Sequence, residues 1–240
     1  MVNRDPDNST GDLSSASDVA DPGGLSILRA KNGSYATKQY SLGRNGKLRK
    51  SSYGNAKWFS VTTAEVGGIV ELAALIDRLQ HDPHAFLVRG ALLPEADPQH
   101  TRRLLRPDPQ DGYPASFRSA ARQYLDIDFD GIPTPVGIDP VADPEGAIEY
   151  LIGLLPPEFQ DATCWWQWTS SQGFKPDTLN ARIWFWLDRP ISDEDLTRWA
   201  KAINKAVGHT LVDPALFRAV QLRISAKAPR RFGSNRPPFR

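Results

Sequence analysis

The sequence of 240 residues is poor in cysteine, the residue that forms disulfides and many structural zinc sites. Its one cysteine, Cys164, excludes an intramolecular disulfide and a cysteine-based zinc site. No apolar run approaches the roughly 20 residues needed to cross a bilayer. A secretory signal peptide would begin with a positively charged segment followed by an apolar one, and the first residues of this sequence do not show that pattern. We therefore expect a cytoplasmic protein with no membrane contact.

Two motifs of common enzyme classes are missing as well. The chain has no Gly-x-x-x-x-Gly-Lys-Ser/Thr loop and no nucleophile elbow. This chain alone is therefore neither a P-loop helicase nor a hydrolase of the nucleophile-elbow type. With 40% hydrophobic and 24% charged residues, its composition is that of an ordinary globular protein.

Acidic residues are absent from two long segments, although the net charge of the whole chain is only +1. Residues 23–64 and 214–240 contain no Asp or Glu but many Lys and Arg, and the acidic residues concentrate between them. This segregation suits a polyanion gripped by basic segments beside an acidic centre. The alternative is ordinary solvated surface charge.

Periodic patterns predict a mixture of helices and strands, which is typical of an α+β (mixed α/β) fold. Apolar residues at helical spacing predict a helix that is capped by Thr63 and ends near Gln80. Ser192 is a typical N-cap for a helix over 193–207. A third helix is predicted over 144–155, and strands are predicted over 85–90, 123–129, 163–169 and 181–187, the last two as an antiparallel hairpin. Short strands are expected before residue 60 and between 211 and 228. Residues 1–24 are rich in Asp, Ser, Asn and Gly and have little apolar surface to bury, so this segment is predicted to be a disordered tail.

The segment from Tyr124 to Gly131 is the most informative part of the chain. A strand places alternate side chains on one face, so Asp126 and Asp128 should point the same way, with apolar neighbours on the other face. Carboxylates held this close repel each other unless cations lie among them, and divalent metals are the usual solution. The alternative is an Asp-rich edge strand. We expect the strand to end at Gly131, which would leave Asp130 at the surface or behind the metal ligands.

Three motifs follow one another along residues 85–230. The first is Leu125-Asp126-Ile127-Asp128. The second is the small-residue turn of residues 170–175, followed by a strand that carries Arg182. The third is a hydrophobic residue and an acid, Val212-Asp213. In this order the motifs resemble the archaeo-eukaryotic primase superfamily, especially its plasmid and phage primase-polymerase branch.

The resemblance implies a fold, with domain boundaries. It implies one catalytic domain over 25–230, in which an N-terminal α/β part (25–115) packs against an RRM-like antiparallel sheet (116–230) with the active site between them. Residues 231–240 would be a basic tail or linker. Because relatives often continue into a helicase or a helical primer-handling domain, a helicase domain or protein is an expected partner, and the chain is expected to be part of something larger.

The resemblance also implies roles for individual residues. Asp126, Asp128 and Asp213 would be the catalytic ligands of Mg²⁺ or Mn²⁺, with Asp213 brought in from a neighbouring strand. Nucleotide triphosphate would bind to cations and hydrogen-bond donors of the second motif: Arg182, Lys175, Ser170, Ser171 and the backbone near Gly173. The chain departs from the family at Arg182, where the family frequently has His. Arginine clamps phosphate but does not exchange a proton at neutral pH.

The expected activity is template-directed nucleotidyl transfer by a DNA primase or primase-polymerase, with single-stranded DNA as template and nucleoside triphosphates as substrates. Two alternatives remain at this point. A two-metal nuclease would use the same aspartates without a triphosphate clamp, and a non-catalytic replication-initiation module would bind DNA without metal. For the turn of residues 170–175 the alternative is an ordinary hairpin turn, and for Arg182 a structural salt bridge to an aspartate. The tryptophans of the predicted hairpin are expected in the core, with at most one of them stacking on a base.

Overall fold

The chain builds two main antiparallel sheets and four α-helices within residues 21–34, 39–42, 48–51, 56–174 and 177–224, which the computed structural model describes. The strands are β1 (Gly24–Ala30), β2 (Gln39–Leu42), β3 (Leu48–Ser51), β4 (Phe59–Glu65), β5 (Ala85–Val88), β6 (Ala91–Leu92), β7 (Phe117–Arg118), β8 (Arg122–Pro133), β9 (Cys164–Trp168), β10 (Thr178–Ile191) and β11 (Arg223–Ile224). The helices are α1 (Ile69–Leu79), α2 (Pro144–Gly153), α3 (Pro157–Gln160) and α4 (Asp193–Val207), and a 3-10 helix spans Pro214–Phe217. The predicted α+β class is confirmed.

The first sheet collects strands from both ends of the chain. Its order is β11-β5-β1-β4, and every neighbouring pair is antiparallel. β11 lies at the edge beside β5, so the start of the C-terminal basic segment (residues 214–240) returns to strands formed near the N-terminus. This return gives the residues of β11 access to the second sheet.

The second sheet has the order β8-β10-β9 and carries a different environment on each face. Leu125, Ile127 and Phe129 of β8 point to a core shared with α2, α4 and the 3-10 helix. The opposite face packs through Tyr124, Trp165 and Trp184 against the buried side of α1 and against β1 and β5 of the first sheet. Helix α1 therefore lies between the two sheets, on the face that also carries Asp126 and Asp128.

Most of the predicted elements of the second sheet are present. The strands predicted over 163–169 and 181–187 form the antiparallel pair β9 and β10. Helix α4 begins after Ser192, whose hydroxyl accepts a hydrogen bond from the backbone N–H of Asp195, as predicted. Trp165, Trp166, Trp168 and Trp184 are buried, which confirms their expected place in the core, and Trp186 packs against it partly buried. No helix among the described residues is long and apolar enough to cross a membrane.

The N-terminal boundary of α1 differs from the prediction. Thr63 does not cap the helix, because it pairs with Ser26 in the sheet while β4 continues to Glu65. The helix begins at Ile69, after a Gly-Gly pair, and ends before Gln80 as predicted. Pairing with β1 extends the strand through Thr63, the predicted cap, and the two residues that follow it.

The predicted end of the aspartate strand is also wrong. β8 continues to Pro133 because a β-bulge absorbs the glycine: Asp130 and Gly131 lie opposite the single residue Asn180. Gly131 has φ 77°, and its N–H donates to the side-chain oxygen of Asn180 at 2.8 Å. Asp130 is exposed, as expected.

We expect Gly131→Ala to lower the free energy of unfolding by about 1–2 kcal/mol, the cost of a left-handed backbone for a residue with a Cβ. An added Cβ at Gly131 would meet no atom within 4 Å, so the cost comes from the backbone alone. Gly153→Ala at the end of α2 is the matched control, since it is equally open and helical. Urea unfolding of both variants measures the difference, and equal stabilities would contradict this account of the bulge.

Candidate functional site

The two aspartates of the first motif lie on the face of β8 that points toward the first sheet. β8 alternates as predicted: Asp126 is fully buried and Asp128 partly buried, while Leu125, Ile127 and Phe129 enter the opposite core. The alternation follows from the two-residue period of a strand. The strand therefore presents its carboxylates to the space between the sheets.

The register of the second sheet decides which side chains lie beside each aspartate. Arg182 of β10 pairs with Asp128 on one side and with Gln167 of β9 on the other. Trp184 likewise pairs with Asp126 and with Trp165. Paired residues of antiparallel strands point to the same face of a sheet. Asp128, Arg182 and Gln167 therefore form one polar row across the sheet, and the neighbouring row consists of Asp126, Trp184 and Trp165.

Arg223 belongs to the candidate site but was not predicted from the sequence. From β11 its Nε donates to Asp126 Oδ1 at 2.7 Å, and both side chains are 0% exposed. Its two Nη atoms donate to the backbone oxygens of Leu216, at 2.5 Å, and Gln221, at 3.3 Å. Arg223 thus joins the first sheet to the aspartate strand of the second. The only sequence signal is a single Arg between two apolar residues, inside a segment already rich in basic residues.

Arg182 supplies a second cation to the same aspartates. Its Nη2 lies 2.9 Å from Asp128 Oδ2, and its Nε lies 3.9 Å from Asp126 Oδ2. Burial works against the charged guanidinium, but the carboxylates of Asp128 and Asp126 outweigh it and raise the pKa of Arg182 above its ordinary value. Arg182 therefore stays protonated. The salt bridge considered as an alternative from the sequence is present, and it is made with the motif aspartates themselves.

We call Asp126, Asp128, Arg182 and Arg223 the Asp–Arg cluster. Three side-chain oxygens on the cluster's face of the second sheet are buried and accept no hydrogen bond from any described residue: Asp126 Oδ2, Asp128 Oδ1 and Gln167 Oε1. A buried acceptor without a donor is costly, and a cation bound there would remove that cost. Carboxylate and amide oxygens are also the ligands that Mg²⁺ and Mn²⁺ prefer. The chemistry of these oxygens fits a divalent cation.

Asp213 is not placed as expected. It belongs to no strand: it precedes the 3-10 helix, is exposed, and accepts a hydrogen bond from the N–H of Ala215 at 2.9 Å. The prediction of a neighbouring strand is therefore wrong, because Pro214 favours the start of a helix directly after Asp213. Over the part of the chain that is described, no three His, Cys, Asp or Glu side chains form a group suited to a metal.

The turn of the second motif joins β9 to β10, beyond the Asp128 row. Ser171 hydrogen-bonds through its hydroxyl to the hydroxyl of Thr169 at 3.0 Å, and Gly173 has φ 81°. Ser170 lies in the same turn and is partly exposed. Lys175 lies outside the described residues, so its predicted contact with phosphate stays a prediction. The turn is thus anchored to the hairpin that carries Arg182.

Cys164 takes no part in the site. It begins β9 on the side of the apolar core, and burial raises the pKa of its thiol to about 11. A thiol that stays protonated at neutral pH is a poor nucleophile and a poor metal ligand.

Comparison of the chain with protein-family models, with curated proteins and with solved structures found no match. The resemblance to primases therefore depends on the three motifs of the sequence.

Proposed function

We propose that this chain is a metal-dependent, template-directed nucleotidyltransferase: the catalytic domain of a DNA primase or primase-polymerase. The observation that carries the proposal is the pair of buried carboxylate oxygens, Asp126 Oδ2 and Asp128 Oδ1, that accept no hydrogen bond from the described residues and lie beside the protonated Arg182. Acceptors for a divalent cation and a donor for phosphate thus lie together on one face of a sheet. Phosphoryl transfer needs both.

The residues have distinct roles under this proposal. Asp126 and Asp128 would hold Mg²⁺ or Mn²⁺, whereas Asp213, a further ligand by the family resemblance, forms no three-residue ligand group with them among the described residues. When bound, such ions stabilise the charge that develops on the attacking and leaving oxygens. Arg182 would orient the triphosphate through its planar set of donors and exclude water from the phosphate it contacts. Ser170, Ser171, Gly173 and Lys175 would complete the phosphate contacts from the turn.

The wider architecture would follow the same family. The first sheet with α1 would be the N-terminal α/β part, although its edge strand β11 comes from the C-terminal half of the chain. The β8-β10-β9 sheet would be the RRM-like part, with the site between them. Single-stranded DNA would bind along the basic segments of residues 23–64 and 214–240, since phosphate contacts dominate such affinity. A helicase domain or protein is the proposed partner, and the cytoplasm is the proposed location.

A second candidate function has its own supporting observation. The Asp126–Arg223 pair is fully buried and neutral as it stands, so Asp126 already has a counter-ion without any metal. This favours a non-catalytic DNA-binding module whose aspartates are structural. Such a module would bind DNA equally with and without a divalent cation.

The test is incubation of the full chain with single-stranded DNA, labelled ribo- and deoxynucleoside triphosphates, and Mg²⁺ or Mn²⁺. The proposal expects short labelled products that require template and disappear with a chelator. Degradation of the template would instead support a two-metal nuclease. Metal-independent DNA binding without product in either metal would support the structural module.

A further inference from the structure

The Asp–Arg cluster is balanced in charge before any ligand binds. Its two carboxylates face two guanidiniums, and the exposed fractions of the side chains are 0% for Asp126 and Arg223, 7% for Arg182 and 32% for Asp128. Net charge in such a buried place is costly. A divalent cation that entered alone would leave the cluster with uncompensated positive charge.

The two arginines of the cluster are held differently. Arg223 is fixed by Asp126 and by two backbone oxygens, so its position belongs to the fold. Arg182 lies against the second oxygen of each aspartate, 2.9 Å from Asp128 Oδ2 and 3.9 Å from Asp126 Oδ2. A cation bound by Asp126 Oδ2 and Asp128 Oδ1 would therefore lie close to the charge of Arg182.

We propose that Arg182 couples the binding of the metal to the binding of the nucleotide triphosphate. The inference depends on the proposed function and adds a mechanism to it. Without nucleotide, the guanidinium occupies the aspartates and opposes the metal. With nucleotide, the phosphate oxygens accept the hydrogen bonds of Arg182, the aspartate oxygens are released, and the triphosphate compensates the metal's charge.

The balance of charge supports this exchange. The negative charge of a triphosphate is close in size to the positive charge of two divalent ions. Binding the triphosphate together with two divalent ions therefore adds almost no net charge to a neutral cluster. Either component alone adds a large one. By linkage, whatever factor the nucleotide contributes to metal affinity, the metal contributes to nucleotide affinity.

The experiment is a titration of the full chain with Mn²⁺, followed by electron paramagnetic resonance of the free ion. It is run alone and with a non-hydrolysable nucleoside triphosphate analogue, after correction for Mn²⁺ bound by the analogue itself. We expect the analogue to tighten Mn²⁺ binding by about 5- to 150-fold, the usual range of coupling between two sites. In Arg182→Gln, Mn²⁺ alone should bind more tightly than in the wild type, and the effect of the analogue on Mn²⁺ affinity should shrink toward none.

Two further variants separate charge from other effects. Arg182→Lys keeps the positive charge, so Mn²⁺ alone should bind it as weakly as it binds the wild type. Arg198→Gln is the matched control, because Arg198 is exposed and pairs with Asp195 on α4, away from the cluster. It should reproduce the wild-type values. Thermal melts of all variants identify a folding defect, and the wild-type titrations with and without the analogue carry the test if Arg182→Gln does not fold.

The failures of the two proposals look different. Mn²⁺ binding that is equally tight with and without the analogue, and unchanged in Arg182→Gln, would overturn the coupling and leave the proposed function standing. If the wild type bound no Mn²⁺ under either condition, both proposals would fall. A weaker Mn²⁺ affinity in Arg182→Gln than in the wild type would also overturn the coupling, since Arg182 would then support the metal site.

Discussion

Asp128→Asn should abolish template-directed synthesis, with a loss of at least about 1000-fold in rate. The substitution removes a negative charge that would bind the metal, and losing about 4 kcal/mol of transition-state stabilisation corresponds to that factor. The asparagine side chain keeps the size of the aspartate and one oxygen acceptor, so the loss would come from charge. Primer synthesis on single-stranded DNA, measured in Mg²⁺ and in Mn²⁺, gives the ratio of rates.

Asp130→Asn is the matched control for this prediction. Asp130 lies on the same strand but is exposed at the bulge, so its neutralisation should leave synthesis within about a factor of two, as expected of surface substitutions. Asp128→Asn should also cost about 1–3 kcal/mol of folding free energy, because it leaves the nearly buried guanidinium of Arg182 without this carboxylate. Retained synthesis in Asp128→Asn would show that this aspartate binds no catalytic metal.

Arg223→Met should lower the free energy of unfolding by about 3–5 kcal/mol, the usual cost of removing one partner of a buried ion pair. The change leaves Asp126 buried without the donor at 2.7 Å, and it also strips the hydrogen bonds from the backbone oxygens of Leu216 and Gln221. Urea unfolding of the full chain measures the difference. Arg29→Met is the control, because its pair with Asp82 is partly exposed to water and should be worth less than about 1 kcal/mol.

A double-mutant cycle tests whether the pair itself is responsible. Asp126→Leu alone should also destabilise, since it leaves the guanidinium of Arg223 without its carboxylate. The double variant Asp126→Leu/Arg223→Met should be more stable than the sum of the single losses predicts, because neither charge is then left buried. Strictly additive losses would mean that Arg223 stabilises the fold through its backbone contacts and not through Asp126.

The elements predicted correctly have strong local patterns. Helix α4 has a serine cap, acids in its first turn and a glycine after its last residue. β8 alternates apolar and acidic residues, and β9 and β10 are rich in aromatic and β-branched residues that favour strands. In each case the interactions that select the structure lie within a few residues, so the residues of one segment are sufficient to predict it.

The errors occur where pairing with a distant segment overrides a local pattern. Thr63 precedes a segment with helical spacing and was predicted to cap it, yet pairing with β1 keeps Thr63 in β4. A glycine such as Gly131 suggests the end of a strand. Here the side-chain oxygen of Asn180 on β10 accepts a hydrogen bond from the N–H of Gly131, and the strand continues through a bulge. Asp213 follows a hydrophobic pair as a strand residue would, but the 3-10 helix that follows uses its carboxylate as a cap.

The composition of the candidate site divides in the same way. The shared face of Asp126 and Asp128 was predictable from the chain, because the period of a strand alone places both carboxylates there. The partners of these carboxylates were not. Arg223 lies 97 residues from Asp126, and only the assembly of β11 onto the first sheet brings them together. Since a sequence pattern reports the neighbours of a residue along the chain, the neutral balance of the Asp–Arg cluster was decided by the tertiary structure.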